Sequence, residues 1–137
     1  MYALAGMAGV WHVFQACGWM SWLCLLAGML TSVFSVIAVV VAIARGRVSV
    51  LLAWAALAIA LVPGGLGVVG MALGRAKVEQ AITGEAIEPE MRERIRQEGY
   101  LEAGGCVEVG GALTAPPLLL AAIALGVAYA LRRKVPG

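Results

Sequence analysis

Residues 61–74, LVPGGLGVVGMALG, place one proline and five glycines in fourteen positions of an otherwise apolar run. In water such a segment is a poor helix, because glycine costs about 1 kcal/mol and proline about 3 kcal/mol relative to alanine. In lipid the balance changes. No water is present to take up a backbone amide, so an apolar segment stays helical, and small side chains let another backbone come close. On a helix, Ala60, Pro63, Gly67, Gly70 and Gly74 recur at i+3 and i+4 and form one stripe, with Gly70 to Gly74 a GxxxG. The stripe reads as a packing face. Its partner is either the chain's own helices or a neighbouring subunit, and the sequence leaves both open.

The surrounding composition fixes the class. Of 137 residues, 62% are hydrophobic and 13% charged, against roughly a quarter charged in a soluble domain. Mean hydropathy is +0.93. No charged residue occurs from Met1 to Ala44, and uncharged apolar runs of this length are transmembrane helices. The chain therefore reads as an all-α integral membrane protein, one membrane domain over residues 1–137.

Residues 1–44 as one helix would reach about 66 Å, twice the ~30 Å hydrocarbon core, so the run has to break. In WHVFQACGWMSW, Trp11, Phe14, Trp19 and Trp22 surround Gly18, and tryptophan prefers the membrane interface. This predicts an interfacial helix over 3–17 and a first span over 19–44. Arg45-Gly46-Arg47 makes a minimal loop, and the second span covers 48–73. Residues 75–98 carry five basic and six acidic groups and form a solvated, largely helical segment. Pro89 suits a first helical position, and Glu90–Arg94 and Arg94–Glu98 are supporting i,i+4 pairs. A third span follows over 101–131, certain from Ala112, and 132–137 is a basic tail.

Counting Lys and Arg, the first loop and tail together equal the 75–98 segment, so the positive-inside rule ties. The compact Arg132-Arg133-Lys134 cluster tips the choice toward a cytoplasmic C-terminus and an external N-terminus in the inner (plasma) membrane. Met1-Tyr2-Ala3 offers no basic n-region, which argues against a cleaved signal peptide. The formal net charge of +2 and the lack of a basic, aromatic-laced face give no footing for nucleic acid.

Little in the chain carries chemistry. Cys17, Cys24 and Cys106 form no CxxC pair and are expected to be buried apolar thiols. His12 is the sole histidine and has no partners for a metal site. No Ser/His/Asp set, phosphate loop or HExxH is present, so neither enzymatic activity nor a cofactor is expected. Glu102 and Glu108 stand beside or inside the third span, where a carboxylate is costly. Six residues apart, they lie about 120° apart around a helix and do not form an acid pair. Together with Thr114 they are the ion-path candidates, the alternative being wet carboxylates at the outer boundary and a threonine bonded to backbone near Pro116-Pro117. Thr31, Ser32 and Ser35 are expected to bond to their own helix.

GVVGMALG (67–74) resembles the G-L-L-G-T-V-x-G motif of the second core helix in the TolQ/ExbB/MotA proton-channel family. GYLEAGGCVEVGGALTAPP (99–117) is similar to that family's third-helix pattern, matching at Gly99, Glu102, Ala103, Gly110 and Pro116. Residues 16–45 resemble its first helix. The resemblance implies an external N-terminus and a homo-oligomeric ring around a single-span membrane partner, with Glu102 toward the pore. The family's ion-path threonines correspond here to Met71 and Val107, and its large cytoplasmic extension is replaced by Arg45–Arg47, so a scaffold is implied more than a proton path. Two readings are carried forward: a reduced ring-forming subunit of this kind, and a non-conducting assembly protein that docks a partner through 75–98. A solute transporter is more remote, since no internal repeat is visible. Both readings expect membrane lipid as a partner.

Overall fold

The computed structural model describes residues 9, 11–15, 17–44, 49–83 and 87–134. The Arg45–Arg47 loop, the start of the interfacial helix and the end of the basic tail lie outside the described residues. The described chain is all helical. A short helical stretch, 11–15, precedes α1 (Trp19–Ala44), α2 (Ser49–Ala60), α3 (Val62–Ile82) and α4 (Pro89–Lys134). Three helical stretches are long and apolar enough to cross a membrane: Trp19–Ala44, Val50–Ile82 and Pro89–Leu131. This is a multi-pass membrane protein.

Local chemistry explains the boundaries. Gly18 adopts φ 65°, a left-handed turn that separates 11–15 from α1 and leaves the first span at Trp19–Ala44, as expected. Pro63 has no N–H to give the Ile59 carbonyl, so the second span is two pieces rather than one. Leu61 forms the joint, its N–H reaching back only to the Ala58 carbonyl at 3.3 Å. At the other proline-marked boundary, the Arg92 N–H donates to the Glu88 carbonyl at 3.0 Å, which makes Pro89 the first helical residue of α4. Pro116 and Pro117 sit within α4 without ending it.

Two helices continue beyond the limits expected for their spans. The second span was expected to stop at 73, but α3 runs on to Ile82. The third was expected to begin near 101, but α4 is continuous for 46 residues, about 69 Å, more than twice the hydrocarbon core. Residues 75–82 and 89–98 are thus continuations of these two helices, in keeping with the charged, largely helical segment expected there.

The buried positions repeat at intervals of three and four. On α1 they are Met20, Ser21, Cys24, Gly28, Thr31, Ser35, Ala38 and Ala42; on α2 and α3 they run Ala53, Ala56, Ala60, Pro63, Gly67 and Gly70, with Ile82 at the far end of α3. Nearly all are small. Leu30, Ile43, Leu51 and Leu119 instead point outward, each more than 60% exposed. A water-soluble bundle has the opposite arrangement; in lipid the tails are as apolar as leucine, and close backbone packing decides which face is inside.

The chain packs as two compact units. The first comprises Leu25–Pro63 and Ala112–Gly137, and between 25 and 131 its described helices carry no charged residue. Its core is Ala38, Ala53, Ala56, Ala60, Ala121 and Ala124, bordered by larger residues such as Phe34 and Leu118. Gly28 lies against Leu113. Thr31 Oγ1 and Ser32 Oγ both donate to the Gly28 carbonyl, at 3.1 and 2.7 Å, the self-bonding expected of hydroxyls in lipid. Ser35 departs from it: its buried Oγ finds no partner among the described residues.

Candidate functional site

The second unit, Met1–Cys24 with Gly64–Gly111, holds all the charged side chains of the described structure apart from the chain's basic tail. It begins where α3 and α4 meet through their smallest residues. A Cβ on Gly67 would stand 2.5 Å from the Cys106 carbonyl oxygen and 3.1 Å from Gly110 Cα. One on Gly70 would meet Met20 Cγ at 3.0 Å and Cys106 Cβ at 3.2 Å, and one on Gly74 would meet Ala103 Cβ at 3.0 Å. Farther along, the glycine changes sides: Gly99 of α4 receives the Val78 side chain of α3. The stripe first noticed at 60–74 is therefore occupied within the chain, and Gly67, Gly70 and Gly74 are not an open face for a second subunit.

The stretch before α1 is tied into the same unit. Cys17 and Cys106 form a disulfide with Cα atoms 4.9 Å apart, across 89 positions of sequence. This corrects the expectation of three apolar thiols; only Cys24 remains a buried thiol. The bond follows from two small-residue contacts around it: Gly70 admits the Cys106 side chain, and Gly105 admits Val13. Ser21 Oγ donates to the Phe14 carbonyl at 2.5 Å. Phe14 stacks on Trp11 and meets Trp22 edge-on, with ring centroids 5.9 and 5.4 Å away. Trp11, Trp19 and Trp22 are all more than half exposed, and exposed tryptophan of this kind belongs at the membrane–water boundary.

Farther along, α3 and α4 are joined by a polar lock. Arg96 Nε donates to Glu79 Oε1 at 3.0 Å, and the Tyr100 hydroxyl donates to the same oxygen at 2.5 Å. Arg96 also reaches Glu93 at 3.1 Å, and the Arg75 guanidinium lies 5.1 Å from the Tyr100 ring centroid. The hydroxyl of Tyr100, and then Arg96, hold the Glu79 carboxyl below the ordinary carboxylate value; the same contacts raise Tyr100 and Arg96. Sequence reasoning found the local i,i+4 pair Arg94–Glu98, which forms at 3.1 Å. It missed Glu79–Arg96–Tyr100, because those residues meet only once α3 and α4 are set in register.

The ion-path candidates do not converge. Glu102 and Glu108 are exposed, and Thr114 is half-buried in the other unit. Among the described residues no group of three His, Cys, Asp or Glu is placed to hold a metal. Glu102 instead lines a groove of about 410 Å³ together with Lys77, Trp19, Met20 and the disulfide. No family model, curated protein or solved structure matches the chain.

Proposed function

We propose that this protein is a non-conducting, non-enzymatic membrane scaffold that presents the hairpin of residues 75–100 to a protein partner on the non-cytoplasmic side of the inner membrane. The observation that carries the reading is the lock of Glu79 by Arg96 and Tyr100, which fixes two helical continuations beside each other beyond the apolar spans. Their outward residues, among them Glu90, Arg94 and Gln97, stay exposed. A fixed charged surface suits recognition of a folded partner, since little order has to be gained on binding.

The Cys17–Cys106 bond supports the orientation. Disulfides persist in oxidising compartments and are rare in the cytosol, which favours an external N-terminal region and hairpin. The compact basic tail argues the same way from the opposite end.

The test is photo-crosslinking from Glu90 and Arg94 in native membranes, with Leu51 as the lipid-facing control. One defined protein adduct from the hairpin positions, absent from the Leu51 control and weakened when Glu79→Gln with Tyr100→Phe opens the lock, is expected. Adducts to lipid alone at Glu90 and Arg94, as at Leu51, would defeat the proposal.

A ring like that of the TolQ/ExbB/MotA family is the second reading. It is favoured by one observation: Gly104 and Gly111 on α4 have nothing near them, and exposed Glu108 stands between them on the same face. This face, not the Gly67–Gly74 stripe, is then where another helix approaches. A mass measurement of the complex in mild detergent decides it, a monomer under all conditions being incompatible with a ring.

A further inference from the structure

The groove in the second unit is built of two materials. Its floor is small and apolar, with Gly70, Gly74 and Ala103 beside the Cys17–Cys106 bond, and its volume of about 410 Å³ lies in the range of small-ligand sites. Trp19 and Leu73 form a mouth, being 65% and 50% exposed. Its charged lining residues are Lys77 from α3 and Glu102 from α4. Neither forms an ion pair with another described residue, although Arg94, Arg96, Glu79, Glu93 and Glu98 nearby all do.

From this arrangement we infer that the groove binds the headgroup of a zwitterionic phospholipid, with the phosphate on Lys77 and the ammonium on Glu102. A simple anion would satisfy Lys77 and face Glu102; a simple cation would do the reverse. A phosphate and an ammonium joined by a short linker satisfy both. The lipid, rather than a dissolved zwitterion, follows from Trp19: an exposed tryptophan at the mouth, with Trp11 and Trp22 exposed in the same unit, sets the groove at the level of the headgroups. Leu73 and Met20 then offer an apolar wall to the glycerol and upper acyl chain. The inference does not depend on the docking role of the hairpin.

The experiment is native mass spectrometry of the intact, oxidised protein in mild detergent. Dioleoyl-phosphatidylethanolamine is compared with dioleoyl-phosphatidylglycerol, which lacks the ammonium, and with dioleoyl-trimethylammonium-propane, which lacks the phosphate. The unmodified protein should retain the ethanolamine lipid about tenfold better than either, a factor in keeping with one charge-assisted contact. Lys77→Gln should remove the advantage over the cationic lipid, and Glu102→Gln the advantage over the anionic one. Excess glycerophosphoethanolamine should leave the lipid adduct in place. Equal retention of the three lipids by the unmodified protein overturns the inference, which keeps the test decisive even where a variant does not fold. So does a preference that persists in both variants, or displacement by the free headgroup, which would assign the groove to a soluble zwitterion.

Discussion

Glu79 Oε1 accepts two hydrogen bonds from one helix, the Arg96 Nε at 3.0 Å and the Tyr100 hydroxyl at 2.5 Å. Arg96 and Tyr100 are one turn apart on α4, so both reach the same carboxylate on α3 and hold the two helices at a defined register.

That carboxylate makes the hairpin sensitive to acid. Its folded pKa lies below its ordinary value, chiefly through Tyr100 and then Arg96, so its contribution is present above the ordinary carboxylate range and is lost as pH falls through the depressed value. Amide protection factors in 75–100, with the intrinsic pH dependence of exchange divided out, should be steady from neutral pH down to about 5 and fall below the ordinary carboxylate range. Glu79→Gln should exchange faster at neutral pH and show a flat profile. A wild-type profile that is itself flat would mean the lock contributes nothing. Tyr100, raised by the same bond, predicts a second loss as pH climbs through its folded value.

The disulfide should matter more than any surface ion pair. Chain-entropy models give about 4–5 kcal/mol for a loop near 100 residues, but two spans already restrain these ends, so the expected loss for Cys17→Ser with Cys106→Ser is about 2 kcal/mol. Thermal unfolding in detergent with and without reductant measures it. In whole cells, the two cysteines should become alkylated only after reduction; labelling without reductant would place them in a reducing compartment.

Glycines of α3 and α4 should differ sharply in tolerance. At Gly67 an added methyl meets the backbone oxygen of Cys106, which cannot step aside, so Gly67→Ala should cost about 1–3 kcal/mol. Gly111→Ala on α4 meets nothing and should be neutral for folding. If Gly67→Ala is as stable as wild type, the close approach of α3 and α4 is wrong.

A rescue distinguishes backbone from side-chain clashes. Gly99→Ala meets the Val78 methyl groups, and removing them with Val78→Ala should restore most of the lost stability. No such partner exists for Gly67.

Proton leak offers a functional check. With Glu102 and Glu108 exposed and Thr114 in the other unit, vesicles containing the purified protein should hold a pH gradient as long as empty ones. A leak that Glu102→Gln abolishes would restore the channel reading.

What the sequence by itself determined is local. Uncharged length set the three spans, the backbone freedom of Gly18 set the start of α1 at Trp19, and the missing N–H of a proline placed the start of α4 at Pro89. These depend on a residue and its near neighbours, or on its solubility in lipid. The tertiary structure decided everything that depends on register between distant helices. The stripe Gly67–Gly70–Gly74 announces that some backbone comes close, but a hydrogen side chain carries no address, and only packing showed that the backbone is α4 of the same chain. The same holds for Cys17 and Cys106, and for Glu79 with Arg96 and Tyr100. Neither pairing has a sequence period, because each is the meeting of two helices rather than a property of one.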